Sequence, residues 1–574
     1  MTTLVPSTVR RRLGRVAPEI LGRHARLLLQ GQSTPQRAVR GARSAVLRRR
    51  LQRSMPLPAA ADTFITVEVD GRAVLARVVD SFRSEDVWAE QAAQVADALA
   101  AHEVDHVFVS VDPHRRRVIA VPQEQREHAI QALVKELPPE VTQLAPVYSR
   151  DAIRSRPLTG RRPRFASTLR VFQVLTTASG TVISGSEMGC DLQFWRQVGP
   201  GRQLTAHGET LPGGTLLGER TFDPVPETLE PPPTGVVQRL VDRRVRPVAV
   251  DLVQPHLLQH TDPVDVVYTW VDGSDPEWQR RRDAALREAG QTPLHDLAAN
   301  DSRYTSHDEL RYSLRSLEMY APWVRQVFLV TDDQVPCWLD VDHPRLSVVH
   351  HRDLFGSRGR LPTFNSHAIE SQLHHLDGLT ENYLYLNDDV FFGRPVEPDL
   401  FVHGNGLAKV FFSSVKVGPG PARATDLPIT SAAKNNRDLL MEKFGRTTLH
   451  KLQHAPYSLR RSVMHELEEV FPDAFEVTAS AAFRSPSDVS VSAALGLAYA
   501  YLVGKAVPGR LRYLYADIAQ ADTPDRLAVL LARRDHDVFC LNDHDSSGLT
   551  TGRQLDVVAG FLERYFPLRS SFER

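Results

Sequence analysis

The sequence predicts an α/β protein built on a mostly parallel, doubly wound sheet, with a small α/β unit before it and a helical part after it. Three observations carry that prediction. Apolar, β-branched runs recur between residues 262 and 400, and each ends in an acidic loop. Helix-period stretches separate those runs, which is the pattern of parallel strand–helix–strand units. A chain of 574 residues is also too long for one core, so two or three domains are expected.

Taken in order, residues 1–60 are a basic arm. Residues 1–55 hold 13 arginines and one acid, Glu19, and the rest of the chain is net acidic. No nucleic-acid partner is expected for the body of the protein. "LGRVAPEILGRHARLLL" has the makings of a basic amphipathic helix for peripheral contact with an anionic membrane, each Arg adding roughly 1 kcal/mol near the surface. The alternative is a solvated tail. Residues 62–250 read as an accessory α/β region. "TFITVEV", "HVFVSVD" and "RRVIAVP" are strands, and Glu85 to Ala101 and "QEQREHAIQALVKEL" are helices. Short strands such as "TLRVFQVLT" follow, and "PVPETLEPPPTG" (224–235) is a Pro-rich linker candidate. Cys190, Cys337 and Cys540 are far apart and odd in number, which suits a reducing, cytoplasmic setting rather than a disulfide framework. No N-terminal apolar region reads as a secretory signal. The longest uncharged run, Val489 to Gly504, is shorter than the ~18–20 residues that span a bilayer. It reads as a buried helix.

The chemistry concentrates in residues 262–400. "VDVVYTWVDGSDPEW" is a strand, Val264 to Thr269, that breaks at Asp272-Gly273 into a loop with Asp275. Open α/β sheets place ligands in the crevice beyond such strand ends. "SHDELRYSLRSLEMYAPWV" starts a helix at Ser306 with Glu309 three residues on, a capping-box pattern, and Leu310, Leu314 and Leu317 share one face. "RQVFLVTDD" is a strand ending in Asp332 and Asp333, which read as turn residues. "HAIESQLHHL" is a helix before the strand of "NYLYLNDDV". That strand ends in Asp388 and Asp389, held near the core by apolar residues on both sides. Two adjacent carboxylates in such a place repel each other and resist burial. Mg²⁺ or Mn²⁺, shared with substrate phosphates at about 2.0–2.1 Å, would neutralise them. An isolated Asn-Asp-Asp is a weak signal; its surroundings strengthen it.

"DVVYTWVDGSDPEW", "ELRYSLRSLEMYAPWVRQVFLVTDDQVPCWL", "LPTFNSHAIESQLHHLDGLTENYLYLNDDVFFG" and a final "CLND" resemble the conserved regions of the Stealth family. These are sugar-1-phosphate transferases of bacterial capsule and exopolysaccharide synthesis, related to the animal N-acetylglucosamine-1-phosphotransferase. The resemblance spans roughly residues 262–545, about half the chain. It implies a nucleotide-sugar-binding sheet of the GT-A or Rossmann-like kind and a catalytic domain over residues 262–574. It also implies the reaction. A hydroxyl of a glycan acceptor attacks the β-phosphorus of a nucleotide sugar, with UDP-N-acetylhexosamine as the expected donor. Hexose-1-phosphate is transferred and the nucleoside monophosphate leaves.

The resemblance and the residues together nominate a site. Asp388 and Asp389 are the metal ligands, with Asp543 of "LNDHD" as a further ligand or acceptor contact. Asp272 is placed near the nucleotide or metal and counted as catalytic. Arg303 and Arg311 are phosphate-clamp candidates, since a guanidinium grips two phosphate oxygens. For Arg311 the alternative is a helix charge paired with Asp308 or Glu309. Asp265 and Asn387 are further substrate-binding candidates. His454 in "KLQHAPYSLRRSVMHELEEVFPDAF" matches the family's base, placed just before a helix start, and His465 is the weaker alternative. Arg484 in "AAFRSPSDVS" matches an Arg that stabilises the transferred phosphoryl group, although this run replaces an Arg-His-Ser-Glu-Asp-type one. Two other readings stand beside the transferase: a glycosyltransferase that moves the sugar without its phosphate, and a non-catalytic polysaccharide-binding scaffold.

Overall fold

The structure, a computed structural model, describes residues 63–69, 71–147, 155–158, 166–199, 211–219, 226–229, 235–288, 308–542 and 551–574. The basic arm with its membrane reading, Arg303, the helix start at Ser306 and Asp543 lie outside the described residues.

In the N-terminal region the alternating "FITVEV" forms β1 (Phe64–Val69), which turns at Gly71 into β2 (Arg72–Val78). Gly71 has φ 72°, a conformation that side chains disfavour. Helices α1 (Ser84–Ala101) and α2 (Arg126–Glu136) cover one face of a mixed ten-stranded sheet. That sheet includes β3 (Val107–Ser110), β4 (Val118–Pro122), β5 (Thr142–Pro146), β6 (Thr168–Gln173), β7 (Cys190–Gln197), β8 (Val236–Val241) and β9 (Arg244–Ala249). Val95, Leu99, Ile130 and Leu133 of the helices pack on Phe108, Ile119, Leu144 and Leu192. Part of the proline-rich stretch is itself a strand: Pro226–Leu229 pairs antiparallel with Leu216–Glu219.

The second region is organised on β10 (Val264–Trp270). It lies between two parallel neighbours, β11 (Val327–Thr331) and β13 (Asn382–Asn387), with β12 (Leu346–His350) beyond β11. β15 (Tyr457–Arg460) closes the other edge antiparallel to β13, giving the order β12-β11-β10-β13-β15. Successive side chains of a strand point to opposite faces. Val266, Tyr268, Leu384 and Leu386 accordingly enter one core, and Val267, Tyr383 and Tyr385 another. Both faces are buried, as a doubly wound sheet requires. The chain winds from β10 to β12 on one side and then returns to β13 on the other. The crevice at that reversal lies beyond the C-terminal ends of β10 and β13, where open sheets bind ligands.

Helix α3 (Pro276–Glu288) follows β10, and α4 (Glu309–Tyr320) precedes β11. Leu310, Leu314 and Leu317 are buried. "HAIESQLHHL" is not one helix: α5 (Ser366–Glu370) ends early, and a separate 3₁₀ turn covers Leu373–His375. The end of β13 turns directly into β14 (Val390–Phe392). His454 also departs from expectation, because β15 stands between it and the helix α7 (Arg461–Val470). The period-2 pattern of "YSLR" pairs with β13 before the helix begins. Helices α6 (Pro428–Phe444), α8 (Pro472–Ala479) and α9 (Gly496–Leu502) surround this edge. The uncharged run at 489–504 is buried up to Ala500 for the most part and emerges at Tyr501, as a π turn (Val491–Leu495) continued by α9. A small sheet follows from β16 (Tyr513–Asp517) and β17 (Val538–Asn542), with α10 (Thr523–Arg533) between them. β14 joins β17 in it, and α11 (Thr551–Tyr565) packs behind. No described helix is long and apolar enough to cross a membrane.

Candidate active site

Asp388 and Asp389 occupy the turn between β13 and β14, and the sequence around them is nearly all core. Leu384, Leu386, Val390, Phe391 and Phe392 are at most 1% exposed. Helix α4 fixes the turn with two serines three residues apart, hence on one face. Ser313 Oγ donates to the Val390 carbonyl at 2.6 Å and meets the Tyr268 hydroxyl at 2.8 Å. Ser316 Oγ accepts from the Phe392 N–H at 3.0 Å. From the other side, β17 brings Asn542, whose amide donates to Asp389 Oδ2 at 2.9 Å, and the Cys540 thiol, 3.4 Å from the same oxygen. His454 Nε2 lies 3.2 Å from Asp389 Oδ1.

These surroundings push the two carboxyls apart. Burial and the Asp389 charge raise Asp388 to about 7. Burial would raise Asp389 as well, but His454, Asn542 and Cys540 outweigh it and hold Asp389 below its ordinary value. Among the described residues no lysine or arginine forms an ion pair with either acid. Two neighbouring carboxylates with no described lysine or arginine paired to them, and only the His454 imidazole as a base beside Asp389, are a donor set that hard divalent cations take. Asp389, His454 and Cys540 also present atoms within 4.8 Å of one another. The thiol is pushed far up by burial and by Asp389, so it serves as a donor to the carboxylate. The residues fit Mg²⁺ or Mn²⁺ held by oxygen.

From His454 a buried polar chain runs back into the sheet. Its Nδ1 meets the Tyr457 hydroxyl at 3.1 Å, and the Tyr513 hydroxyl donates to its carbonyl at 2.8 Å. The Tyr457 ring stacks on Tyr385, whose hydroxyl meets Thr269 at 3.1 Å and Glu370 Oε1 at 3.4 Å. Glu370 is 5% exposed, and its Oε2 has no hydrogen-bond partner. Burial raises it against the opposing pull of His367, Arg484 and His454. Burial likewise opposes charge on His454, but Asp389, Glu370 and Asp388 more than compensate and hold the imidazole above its usual value. Arg484 comes from the loop after α8 and donates to Ser366 Oγ at 2.6 Å. Asp488 shapes that loop, accepting from the Ser485 N–H and from Asn365, and it contacts His367.

The predicted residues divide accordingly. Asp388, Asp389 and His454 come together, and Arg484 is electrostatically coupled to Glu370 on the same chain of contacts. Asn387 ends β13 beside Thr269. Asp272 stands in the loop after β10, its Oδ1 taken by the Ser274 N–H and hydroxyl. Asp265 is a correction: it lies at the opposite end of β10, fully buried and gripped by Arg325 at 2.6 and 2.8 Å. Strand polarity places it there, since ligands collect at C-terminal strand ends. Arg311 is likewise engaged structurally, bonded to Glu573 at 2.6 Å, paired with Asp308 at 3.6 Å and set over Trp338. His465, the alternative base, sits with His374 and His375 at the far end of β13. Asp332 and Asp333 bind Arg281 and Arg352. The sequence reading missed Glu370, Tyr385, Tyr457, Cys540 and Asn542. For Glu370, flanked by Ser366, His367, Ser371 and Gln372, as for the others, the only available signal was motif membership.

Conserved regions 1, 2, 3 and 4 of Stealth proteins match residues 262–290, 303–410, 453–501 and 528–574. The chain is 43% identical over 503 residues to the exopolysaccharide phosphotransferase SCO6023 of Streptomyces coelicolor, covering 84% of this chain and 81% of that protein. It is 33% identical over 504 residues to the exopolysaccharide phosphotransferase CpsY of Mycobacterium leprae, covering 86% and 89%. Among solved structures, the galactosyltransferase LgtC aligns over 54% of this chain and 97% of its own, at 9% identity and a TM-score of 0.28, too low to bear on function.

Proposed function

The chain belongs to the Stealth protein family, and from that premise we propose that it is a phosphotransferase of polysaccharide synthesis, moving a sugar-1-phosphate from a nucleotide sugar to a glycan hydroxyl. The observation that carries this reading is the cluster of Asp388, Asp389 and His454 at the strand-order reversal, with Arg484 coupled to it through Glu370. In the proposed reaction the acceptor oxygen forms a bond to the β-phosphorus. The bond from that phosphorus to the bridging oxygen breaks, and the nucleoside monophosphate leaves with the electron pair. Such transfer needs charge stabilisation, alignment and somewhere for the hydroxyl proton to go.

The residues take those tasks as follows. His454 receives the acceptor proton. Asp389 accepts from Nε2–H and orients the imidazole, and Nδ1, which meets the Tyr457 hydroxyl at rest, is the nitrogen that takes the proton when the acceptor hydroxyl replaces that contact. Arg484 places a guanidinium for the transferred phosphoryl group, and Ser366 with the Asp488-held loop fixes its position. Asp388 and Asp389 would hold Mg²⁺ or Mn²⁺, with Asp543 as a further ligand; when bound, the ion supplies neutralisation of phosphate charge. Asp543 directly follows Asn542, whose amide touches Asp389. Asp272 and Asn387 border the donor, and Arg303 remains a phosphate contact by motif. The expected donor is a UDP-sugar.

The deciding experiment incubates the protein with Mg²⁺ or Mn²⁺, a panel of nucleotide sugars and a glycan acceptor. Release of nucleoside monophosphate, with a phosphodiester in the ³¹P spectrum of the product, supports the proposal. Release of nucleoside diphosphate with a phosphate-free glycoside would establish a glycosyltransferase in its place.

A further inference from the structure

Four metal-ligating side chains converge at the opposite end of β13 from the acid pair. His374 and His375 belong to the 3₁₀ turn Leu373–His375 that precedes β13. His465 and Glu468 stand three residues apart on α7, and that spacing puts both on one helix face. One ligand atom from each of the four lies within 4.8 Å of all the others. Glu468 Oε2 is 2.9 Å from His374 Nε2 and 3.0 Å from His375 Nε2. The rings are crowded: centroids are 4.1 Å apart for His374 and His375, and 4.7 and 5.1 Å from these to His465.

Hydrogen bonding alone accounts poorly for this cluster. The His374 side chain is 0% exposed, and its Nε2 must share the single oxygen Glu468 Oε2 with His375 Nε2. Among the described residues the His465 ring makes only ring contacts with the other two histidines. Three imidazoles around one carboxylate, on two separate elements, are more ligands than one carboxylate needs as hydrogen-bond partners. They are a complete donor set for a borderline-soft divalent ion.

We propose that His374, His375, His465 and Glu468 bind one Zn²⁺ ion, which ties the turn before β13 to the helix after β15. With Zn–ligand bonds of about 2.0–2.1 Å, the edges of a zinc tetrahedron are about 3.3 Å, close to the two His–Glu distances already present. His375 and Glu468 are partly exposed, which gives the ion an entry path. Arg461 Nε donates to the His374 carbonyl at 3.0 Å and holds turn and helix together beside the site. β13 ends in the acid pair and β15 begins just after His454, so an ion here braces the far ends of both strands. The proposal is independent of how the acid pair is read.

The test strips the full-length protein with a chelator, reloads it with Zn²⁺, desalts it and counts metal per chain. One zinc should remain on the wild type and on Asp389→Ala, and be lost from His375→Gln/His465→Gln. Zinc should also raise the Tm of the wild type by several degrees and leave the double variant unmoved. X-ray absorption on the wild type should show a nitrogen and oxygen shell with three imidazoles. That measurement stands even if the double variant fails to fold. A wild type that retains no zinc, a double variant that retains it, or a sulfur ligand pointing to Cys540, would each overturn the proposal.

Discussion

The Asp388 and Asp389 carboxylates are neighbours in sequence yet differ in their readiness to hold a proton, because one is paired with His454 and the other is not. Asp389→Ala removes the orienting partner of the His454 imidazole and, on the proposed function, a metal ligand, so turnover should be abolished, as read by nucleoside monophosphate release. EDTA should do the same, and added Mg²⁺ or Mn²⁺ should restore activity; full activity in EDTA would remove the metal from the mechanism. His454→Ala should slow the chemical step by ~10²–10⁴-fold in single-turnover kinetics, the range of general-base catalysis. A change confined to the acceptor KM would instead mark a binding residue. Glu370 offers a different case. Its carboxyl is buried with one oxygen unpartnered, and burial favours its neutral form. The neutral, isosteric Glu370→Gln should therefore leave stability within about 1 kcal/mol of wild type in urea unfolding, a small change on the scale of point mutations. A loss of several kcal/mol would show that the fold uses the charge.

The turn that carries Asp388 and Asp389 depends on elements that meet from distant parts of the chain. β14 is pinned by the serines of α4 on one side and by β17 on the other. Just after it, Gly393 approaches that partner so closely that a Cβ would stand 2.6 Å from the His536 carbonyl oxygen. Backbone cannot yield there as a flexible side chain would. Gly393→Ala should destabilise the protein by about 1–3 kcal/mol, the usual range for overpacking, and reduce turnover by loosening the strand pair that carries Asn542 to Asp389. A variant with wild-type urea midpoint and rate would show that the pairing has slack. Much of this arrangement was legible beforehand. The strands, their acidic ends and the helices between them follow from local period. The early end of α5 and the strand after His454 did not, because each depends on a partner that the local pattern leaves unnamed.

Across the molecule, the extreme C-terminal residues lock onto α4. Glu573 receives Arg315 at 2.7 Å and Arg311 at 2.6 Å, with its side chain wholly shielded from solvent. Burial would raise the carboxyl, but Arg315, the Ser570 N–H and Arg311 bring it down to about 2 from an ordinary 4.5. The folded protein thus takes up this proton less readily than the unfolded chain. The stabilisation is complete above about pH 4.5 and is lost as pH falls toward 2. The gap in urea midpoint between wild type and Glu573→Gln should therefore be wide at pH 7 and narrower at pH 3; an unchanged gap would show that the arginines do not perturb this carboxyl. A cleft of about 1600 Å³, lined by residues of both regions such as Arg116, Glu187, Arg394 and Arg534, includes none of the residues assigned to chemistry. The sequence by itself determined the fold class, the family and the acidic strand end, because periodicity and motif order are local properties that survive without coordinates. Only the tertiary structure decided which charges meet. It sent Asp265 to Arg325 and Arg311 to Glu573, joined Asp389 to His454 and Asn542, and gathered His374, His375, His465 and Glu468. Apart from the adjacent His374 and His375 and the neighbours His465 and Glu468, these partners lie from 60 to 262 residues apart, and strand order and polarity, which side-chain period does not encode, bring them together.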